Sequence, residues 1–199
     1  MEICCVTDPS FSQYGRVLDF PKEFWHNFEI PIPQTGVDYE ASYALLEDIP
    51  QLEAWLSREV FGTLDIQISY ISGHNQVLDG VEWHLGNMVH LASSQLCLLL
   101  AKRQDLRNAQ IENIRAYYVP ACTALELFAE TLHSAPVSCD EEGFRSVCVL
   151  LRGTNEPFNE EVPREPEQTA RNRWFVAASP GEVFAELKQD NIQEWLSQR

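Results

Sequence analysis

The sequence predicts a mainly β protein, a small barrel or sandwich with short helices near its N-terminus and a helix at its C-terminus. Short apolar runs recur along residues 66–151, and turn-forming residues separate them. Many short strands with regularly spaced turns are typical of sandwiches and barrels. With 199 residues, of which 45% are hydrophobic, the chain is long enough for one substantial core. We therefore expect one β domain over residues 1–178 and an amphipathic helix over residues 179–199, packed on the barrel or on a dimer mate.

The first 60 residues predict an irregular segment followed by two short helices. Pro21, Pro31 and Pro33 exclude a long helix or a central strand in this part of the chain. Between residues 40 and 60 the apolar side chains recur at helical spacing, and Pro50 interrupts the pattern. We therefore expect two short helices that meet at this proline, preceded by a segment that wraps the surface of the core.

The middle of the chain predicts a series of strands. Residues 66–70 alternate between apolar and polar side chains, which is typical of a half-buried strand. The apolar run 91–100 would fit a short helix by its length, but its place between strands favours a buried strand. Turn residues separate three further strand-like segments, at residues 116–119, 125–129 and 144–151. This rhythm of short strands and turns is the main basis for the predicted barrel.

The C-terminal part of the chain predicts a loop, a strand and a helix. Residues 153–173 hold three prolines among five glutamates, a composition typical of a solvated loop. Residues 174–177 return to a strand-like composition. The segment from Ser179 to Glu182 has the form of a capping box with proline at the first helical position. We therefore expect the amphipathic helix to begin there.

The charge and the cysteines exclude several classes of partner. A formal net charge of −16 repels phosphate backbones and anionic lipids, so we expect neither a nucleic acid nor a membrane as a partner. The six cysteines include no C-x-x-C pair, and this spacing favours reduced thiols over zinc fingers. No apolar run approaches the length that crosses a bilayer, and the first residues lack the features of a secretion signal. We therefore expect a cytoplasmic protein, and a small molecule is left as the expected partner.

The stretch around Glu82 and His84 is the strongest candidate for a functional site. Successive side chains of a strand point to opposite faces, which places Glu82 and His84 on one face and Val81 and Trp83 on the other. We expect the apolar face to pack on the core. The carboxylate and the imidazole on the opposite face can bind a divalent metal or act as an acid and a base.

Glu126 and His133 provide a second carboxylate and a second imidazole. They have opposite parity along the chain, so both can face one cavity only if a turn or a bulge lies between them. If it does, Glu82, His84, Glu126 and His133 could form one site with two carboxylates and two imidazoles. These four are the predicted catalytic residues and metal ligands.

Two further residues are predicted to contact the substrate. Arg173 lies in the C-terminal segment, and its guanidinium could hold a substrate carboxylate. A solvated arginine is the alternative. Tyr118 belongs to the strand-like segment that leads into the turn at Pro120, near the expected mouth of the site.

These motifs together resemble the cupin superfamily. The shared features are a strand with an acid and a histidine, the turn at Pro120-Ala121-Cys122 and a strand that ends in a histidine. The resemblance implies a jelly-roll β-barrel whose two motifs line its mouth.

Further local matches resemble the ureidoglycolate lyase-type cupins and an uncharacterised bacterial family of cupin-like proteins. Residues 11–15, Phe-Ser-Gln-Tyr-Gly, look like the opening motif of the lyases. Glu82 and His84 followed by Ser94-Gln95, and later the segment 132–136, look like two more of their motifs. The similarity to the uncharacterised family runs over most of the chain.

The resemblance also implies a divalent metal, for which zinc, manganese, iron and nickel are the candidates. In a metal-binding cupin the first motif is His-x-His with a glutamate four residues later, and these three places hold Glu82, His84 and Met88. A thioether suits soft metals and not hard cations. Met88 therefore leaves open whether a metal is bound.

The predicted function is that of a cupin-like protein acting on a small polar metabolite, such as a hydroxy acid, a ureido compound or a sugar acid. The chemistry would be proton transfer of the lyase or isomerase type, with or without a metal. The alternative is a non-catalytic binding or sensing protein with a degenerate metal site. A third hypothesis gives the C-terminal helix an assembly role. Because barrel cupins often pair through their sheets, the resemblance also implies a homodimer.

Overall fold

The computed structural model describes residues 1–158 and 165–199, and most of its regular structure is strand. The strands before residue 110 are β1 (Ile3–Cys5), β2 (Gly15–Val17), β3 (Val37–Glu40), β4 (Ile66–Gly73), β5 (Val77–Leu78), β6 (Gly80–Trp83), β7 (Met88–Ala92), β8 (Leu96–Lys102) and β9 (Leu106–Arg107). The later strands are β10 (Gln110–Ile111), β11 (Arg115–Val119), β12 (Thr123–Leu127), β13 (Thr131–Leu132), β14 (Val137–Ser138), β15 (Phe144–Leu151), β16 (Gln168–Ala170), β17 (Arg173–Ala177) and β18 (Ala185–Glu186).

The described helices are short. The α-helices are α1 (Ala44–Glu47), α2 (Leu52–Glu59) and α3 (Gln189–Ser197), and the 3-10 helices are Pro9–Gln13, Lys22–Asn27 and Arg103–Asp105. The first two α-helices lie on either side of Pro50, as the helical spacing and the proline predict. In the described chain no helix has both the length and the apolar character needed to span a membrane.

Two large sheets form the body of the molecule. One is fully antiparallel, with the strand order β2-β12-β7-β15-β4-β3. The other has the order β1-β11-β8-β13, and β14 also pairs with β8. An isolated antiparallel bridge between Glu82 and His133 adds β6 beside β13.

The strand order defines a jelly roll. The inner strands of the first sheet run β4-β15-β7-β12, and those of the second run β6-β13-β8-β11. The chain therefore passes from one sheet to the other at most turns, as in a double Greek key. The predicted mainly β, cupin-like jelly-roll barrel is confirmed by this topology.

The core between the two sheets is built by alternation. Leu96, Leu98 and Leu100 of β8 point inward and meet Leu125 and Leu127 of β12 in one buried cluster. Every second residue of a strand shares a face, so one apolar row per strand is enough to fill the space between two sheets.

The outer face of the first sheet is covered by the N-terminal segment. Phe20, Leu46, Leu52 and Leu56 pack with the outward-facing side chains of the sheet, among them Val89. This cover explains a correction to the sequence prediction, because the expected half-buried strand at residues 66–70 is buried on both faces.

The polar residues of β4 have partners inside the barrel. The Gln67 side chain donates from Nε2 to the Thr154 carbonyl at 3.1 Å and accepts at Oε1 from the Gly153 amide at 2.8 Å. Burial of an amide side chain is tolerated when its hydrogen bonds are made.

The outer face of the second sheet is covered by the C-terminal segment. Leu187 and Ile192 are buried against Val81, Trp83 and other residues of that face. The helix therefore packs on its own barrel.

The helix begins later than expected. The predicted start at Ser179 is wrong, because Gly181 has a left-handed φ of 84° and Ala185 pairs with Leu78 as part of β18. Tertiary strand pairing overrides the local capping signal, and α3 begins at Gln189.

Two other sequence predictions need correction. The apolar run 91–100 is two strands, because its Ser93-Ser94 segment turns and both amides donate to the Arg145 carbonyl, at 3.0 and 3.3 Å. The predicted loop 153–173 contains the strand β16, and its residues 159–164 lie outside the described residues.

Leu56→Ala should lower the free energy of unfolding by about 2–5 kcal/mol, because the side chain is fully buried and its removal leaves a cavity. Leu64→Ala is the matched control, since Leu64 is 57% exposed, and it should change stability by less than about 0.5 kcal/mol. Urea denaturation measures both. Equal losses in the two variants would contradict the docking of α2 on the sheet.

Candidate functional site

A cavity of about 430 Å³ lies between the two sheets and contains most of the predicted site residues. Its polar lining includes Glu82, His84, His90, His133 and Arg173. Apolar side chains from β4, β7 and β15 complete the wall. The cavity is thus an interior space of the barrel with a concentrated set of charged and ligating groups.

The backbone of β6 aims Glu82 into this cavity. Val81 and Trp83 belong to the outer cluster under the C-terminal segment, so Glu82 between them faces inward. The Glu82 amide donates to the His133 carbonyl at 2.8 Å, and the His133 amide donates to the Glu82 carbonyl at 3.1 Å. Residues paired in this way project side chains on the same face of the sheet, so Glu82 and His133 lie side by side.

Three ligand atoms converge in the cavity. Glu82 Oε1 lies 4.0 Å from His84 Nε2 and 3.8 Å from His133 Nε2. The three ligand atoms all lie within 4.8 Å of one another. Both Nε2 atoms are buried and lack a hydrogen-bond partner in the described part of the chain.

Backbone carbonyls set the tautomer of both rings. His84 Nδ1 lies 2.8 Å from the Asn172 carbonyl, and His133 Nδ1 lies 2.8 Å from the Thr131 carbonyl. A carbonyl oxygen only accepts, so each Nδ1 carries the proton and each neutral ring keeps its lone pair on Nε2. Histidines that bind metals are commonly held in this way. The cluster could therefore bind a metal.

The charges around Glu82 favour its ionised form. Arg173 Nε donates to Glu82 Oε2 at 2.5 Å. Burial acts to raise the pKa of Glu82, but the two histidines and Arg173 outweigh it and hold this pKa below its ordinary value. Burial, aided by the neighbouring His133, lowers the pKa of His84 to about 4. At neutral pH the site therefore presents a carboxylate beside a neutral His84.

Glu126 lies elsewhere. Its neighbours Leu125 and Leu127 point into the core, so Glu126 faces the other side of β12. There Oε2 accepts from Arg16 Nε at 2.5 Å and Oε1 accepts from Asn87 Nδ2 at 2.6 Å. The expectation that Glu126 shares the cavity is therefore corrected.

The turn that the sequence argument required does exist. Glu130 has a left-handed φ of 64°, and the chain reverses there before it enters β13. This turn breaks the alternation of side chains between β12 and β13, so the parity of Glu126 does not determine the face of His133, and of the two residues His133 lines the cavity.

Of the two residues predicted to contact the substrate, one lines the cavity and the other does not. Arg173 lines the cavity. Tyr118 does not, because it points to the opposite face of β11, where its hydroxyl donates to Gln95 Oε1 at 2.9 Å and its ring packs near Trp195. Met88 lines the cavity and is buried.

His90, Cys148 and Tyr39 also line the cavity, and no specific argument from the sequence selected them. For His90 the sequence did contain a clue. His90 follows Met88 by two residues in β7, so the two side chains lie on the same face of the strand. For Tyr39 the sequence offered no signal, since among the described strands β3 pairs with β4 alone, and this pairing is a tertiary contact.

A jelly-roll barrel with a histidine and carboxylate cluster inside it defines the class of cupin-like proteins. Within that class, residues 3–187 match the family model described as "Domain of unknown function (DUF4867)", and the chain belongs to this family. No curated protein matches the chain.

Several solved structures are similar to the chain. A cupin superfamily protein from Desulfitobacterium hafniense DCB-2 is 13% identical with a TM-score of 0.36, over 68% of this chain and 97% of that one. The coconut allergen cocosin is 11% identical with a TM-score of 0.36, over 62% of this chain and 28% of that one. Procruciferin, an 11S globulin from Brassica napus, is 12% identical with a TM-score of 0.36, over 76% and 29%. The matched region spans less than a third of the two plant proteins.

The free energy of unfolding of the metal-free protein should fall on acidification, in part because of His90. Burial lowers the pKa of His90 from 6.5 to about 3. Between these pH values the unfolded chain binds a proton that the folded chain does not, so stability decreases as the pH falls through this window. Urea denaturation should therefore show a smaller loss between pH 7 and pH 5 for His90→Gln than for the wild type. Parallel losses would contradict the buried, neutral state of His90.

Proposed function

We propose that the chain is a cupin-like protein that acts on a small polar metabolite by metal-assisted proton transfer of the lyase or isomerase type. The candidates for the metabolite are a hydroxy acid, a ureido compound or a sugar acid. The observation that carries the proposal is the pair of buried Nε2 atoms of His84 and His133, which face Glu82 Oε1 and have no hydrogen-bond partner within residues 1–158 and 165–199.

The energetic argument concerns those two nitrogens. A buried polar atom without a hydrogen bond costs about 1–3 kcal/mol. Two such atoms side by side, next to an ionised carboxylate, are repelled by anions and by one another but attract a cation. A bound divalent cation would offset the cost of both atoms at once.

The three donor atoms fit the metals that the cupin resemblance implies. Two imidazoles and one carboxylate suit zinc, manganese, iron or nickel, and three protein ligands leave positions for a substrate. The backbone carbonyls of Asn172 and Thr131 supply the outer contacts that orient the two rings. Met88 contributes no hard donor to this set.

A bound divalent ion would polarise a carbonyl or hydroxyl oxygen and acidify the neighbouring C–H bond. The chain's own residues would orient the substrate around this chemistry. Arg173 uses Nε on Glu82, and its two Nη groups make no hydrogen bond with the described residues, so they remain able to bind a substrate carboxylate. If the reaction runs without a metal, His84 is the base, because its lowered pKa keeps it neutral at pH 7.

A second candidate is a non-catalytic binding or sensing protein. The observation in its favour is Met88, which follows His84 by four residues and lines the cavity where a fourth ligand would be expected from the cupin resemblance. A cluster of three ligands can hold a metal or a small molecule without turning it over. The expected homodimer and the cytoplasmic location stay predictions.

The metal should disappear when either histidine is removed. We expect protein purified without a metal-affinity tag to carry about one transition metal per chain, and His84→Ala and His133→Ala to carry almost none, because each supplies one of three ligands. Elemental mass spectrometry measures the content. Glu126→Gln is the matched control and should keep the metal, since Glu126 faces Arg16.

Two results would contradict the metal site. One is a wild-type protein that stays metal-free after incubation with zinc, manganese, iron and nickel. The other is full metal content in either histidine variant with an unchanged urea midpoint.

Proton exchange separates the enzyme from the binding protein. The metal-loaded protein in D₂O should incorporate deuterium at the C–H bond next to the carbonyl of at least one of glycerate, glucuronate and N-carbamoylglycine, because proton abstraction there is the proposed chemistry. Proton NMR follows the loss of the signal, and His84→Ala is the negative control. Binding of one of these compounds without exchange would favour the non-catalytic candidate.

A further inference from the structure

A third imidazole in the cavity lies outside the metal-ligand cluster. His90 of β7 lines the cavity and is buried, and its side chain faces the same interior space as Glu82 and His133. It is absent from the group of converging ligand atoms. Its role therefore needs a separate explanation.

The contacts of His90 determine its tautomer. Nδ1 lies 3.0 Å from Ser146 Oγ, and this hydroxyl donates its proton to the Val147 carbonyl at 3.1 Å. Since the hydroxyl proton is already used, Ser146 Oγ accepts from His90, and Nδ1 carries the ring proton.

The neighbouring thiol does not compete for this role. Cys148 Sγ lies 3.5 Å from the same Nδ1, but a thiol is a weak donor, and burial raises the pKa of Cys148 so that it stays protonated. The second ring nitrogen of His90, Nε2, is therefore an acceptor. It has no hydrogen-bond partner among the described residues.

The surroundings of His90 make this acceptor selective. The nearby cavity wall is formed by apolar side chains, including Met88, Ile71 and Leu150. Burial also keeps the ring neutral, with a pKa of about 3. A ligand group placed against Nε2 would meet a hydrogen-bond acceptor, so a hydroxyl or N–H group fits better there than a methyl group.

We propose that His90 Nε2 accepts a hydrogen bond from the ligand and so selects small acids that carry a second donor group, a hydroxyl or a ureido N–H. This inference rests on the proposed function, because it assumes that the ligand lies between the Glu82 cluster and β7. Ser146 acts as a positioning residue, since it holds the tautomer that makes Nε2 an acceptor.

Two matched pairs of acids test the proposal. Glycerate and lactate differ only by one terminal hydroxyl, and N-carbamoylglycine and N-acetylglycine differ only by an amino group in place of a methyl group. The metal-loaded wild type should bind the donor-bearing member of at least one pair about tenfold more tightly, measured by calorimetry. Equal affinity within both pairs, or no binding of any of the four acids, would overturn the proposal.

Variants of His90 assign the preference to the residue. His90→Phe keeps the ring shape but removes both nitrogens, and it should abolish the tenfold preference while the metal content stays that of the wild type. His90→Gln keeps an acceptor oxygen and should restore part of the preference. An unchanged preference in His90→Phe would overturn the role of His90.

A direct measurement checks the tautomer. Long-range ¹H–¹⁵N spectra of the wild type should show the proton of His90 on Nδ1, and Ser146→Ala should weaken this preference. A proton on Nε2 in the wild type would overturn the acceptor role. Failure of the metal experiment would instead overturn the proposed function, so the two failures are distinguishable.

Discussion

The pair of backbone hydrogen bonds between Glu82 and His133 is the contact on which both the fold and the site depend. It joins β6 to the second sheet and thereby completes the four inner strands of that sheet. Because residues paired across strands project side chains to the same face, the contact that completes the sheet also sets a carboxylate beside an imidazole inside the barrel. A change that shifts this pairing by one residue would turn Glu82 away from the cavity and disrupt the sheet.

The outer layers of the molecule allow this polar interior to exist. Val81 and Trp83 are buried under the C-terminal segment, and the N-terminal segment covers the opposite sheet. Burial of apolar side chains contributes about 25 cal/mol per Å², so two covered outer faces offset the cost of a few unpartnered polar atoms. The carbonyl contacts of His84 and His133 limit that cost to one nitrogen in each ring.

Local pattern predicted the elements better than their ends. The helix pair around Pro50 and the strand at residues 144–151 follow from helical spacing, a proline and an apolar run. The start of the last helix does not follow from local pattern. It depends on the pairing of β18 with β5, a strand more than 100 residues earlier in the chain. The turn within residues 91–100 was marked by Ser93 and Ser94, but the backbone amides of both residues donate to the Arg145 carbonyl, which belongs to another strand.

The sequence by itself determined the periodicity of the strands, the class of fold and the presence of an acid and a histidine on one face of the segment from Glu82 to His84. Only the tertiary structure decided which distant groups join them. His133 reaches the cavity and Glu126 does not. The alternation of side chains along β12 does not continue through the turn at Glu130, so it cannot predict the face on which His133 lies. A pattern records which face of its own strand a side chain occupies, whereas the partner across that face depends on how strands far apart in the chain are paired.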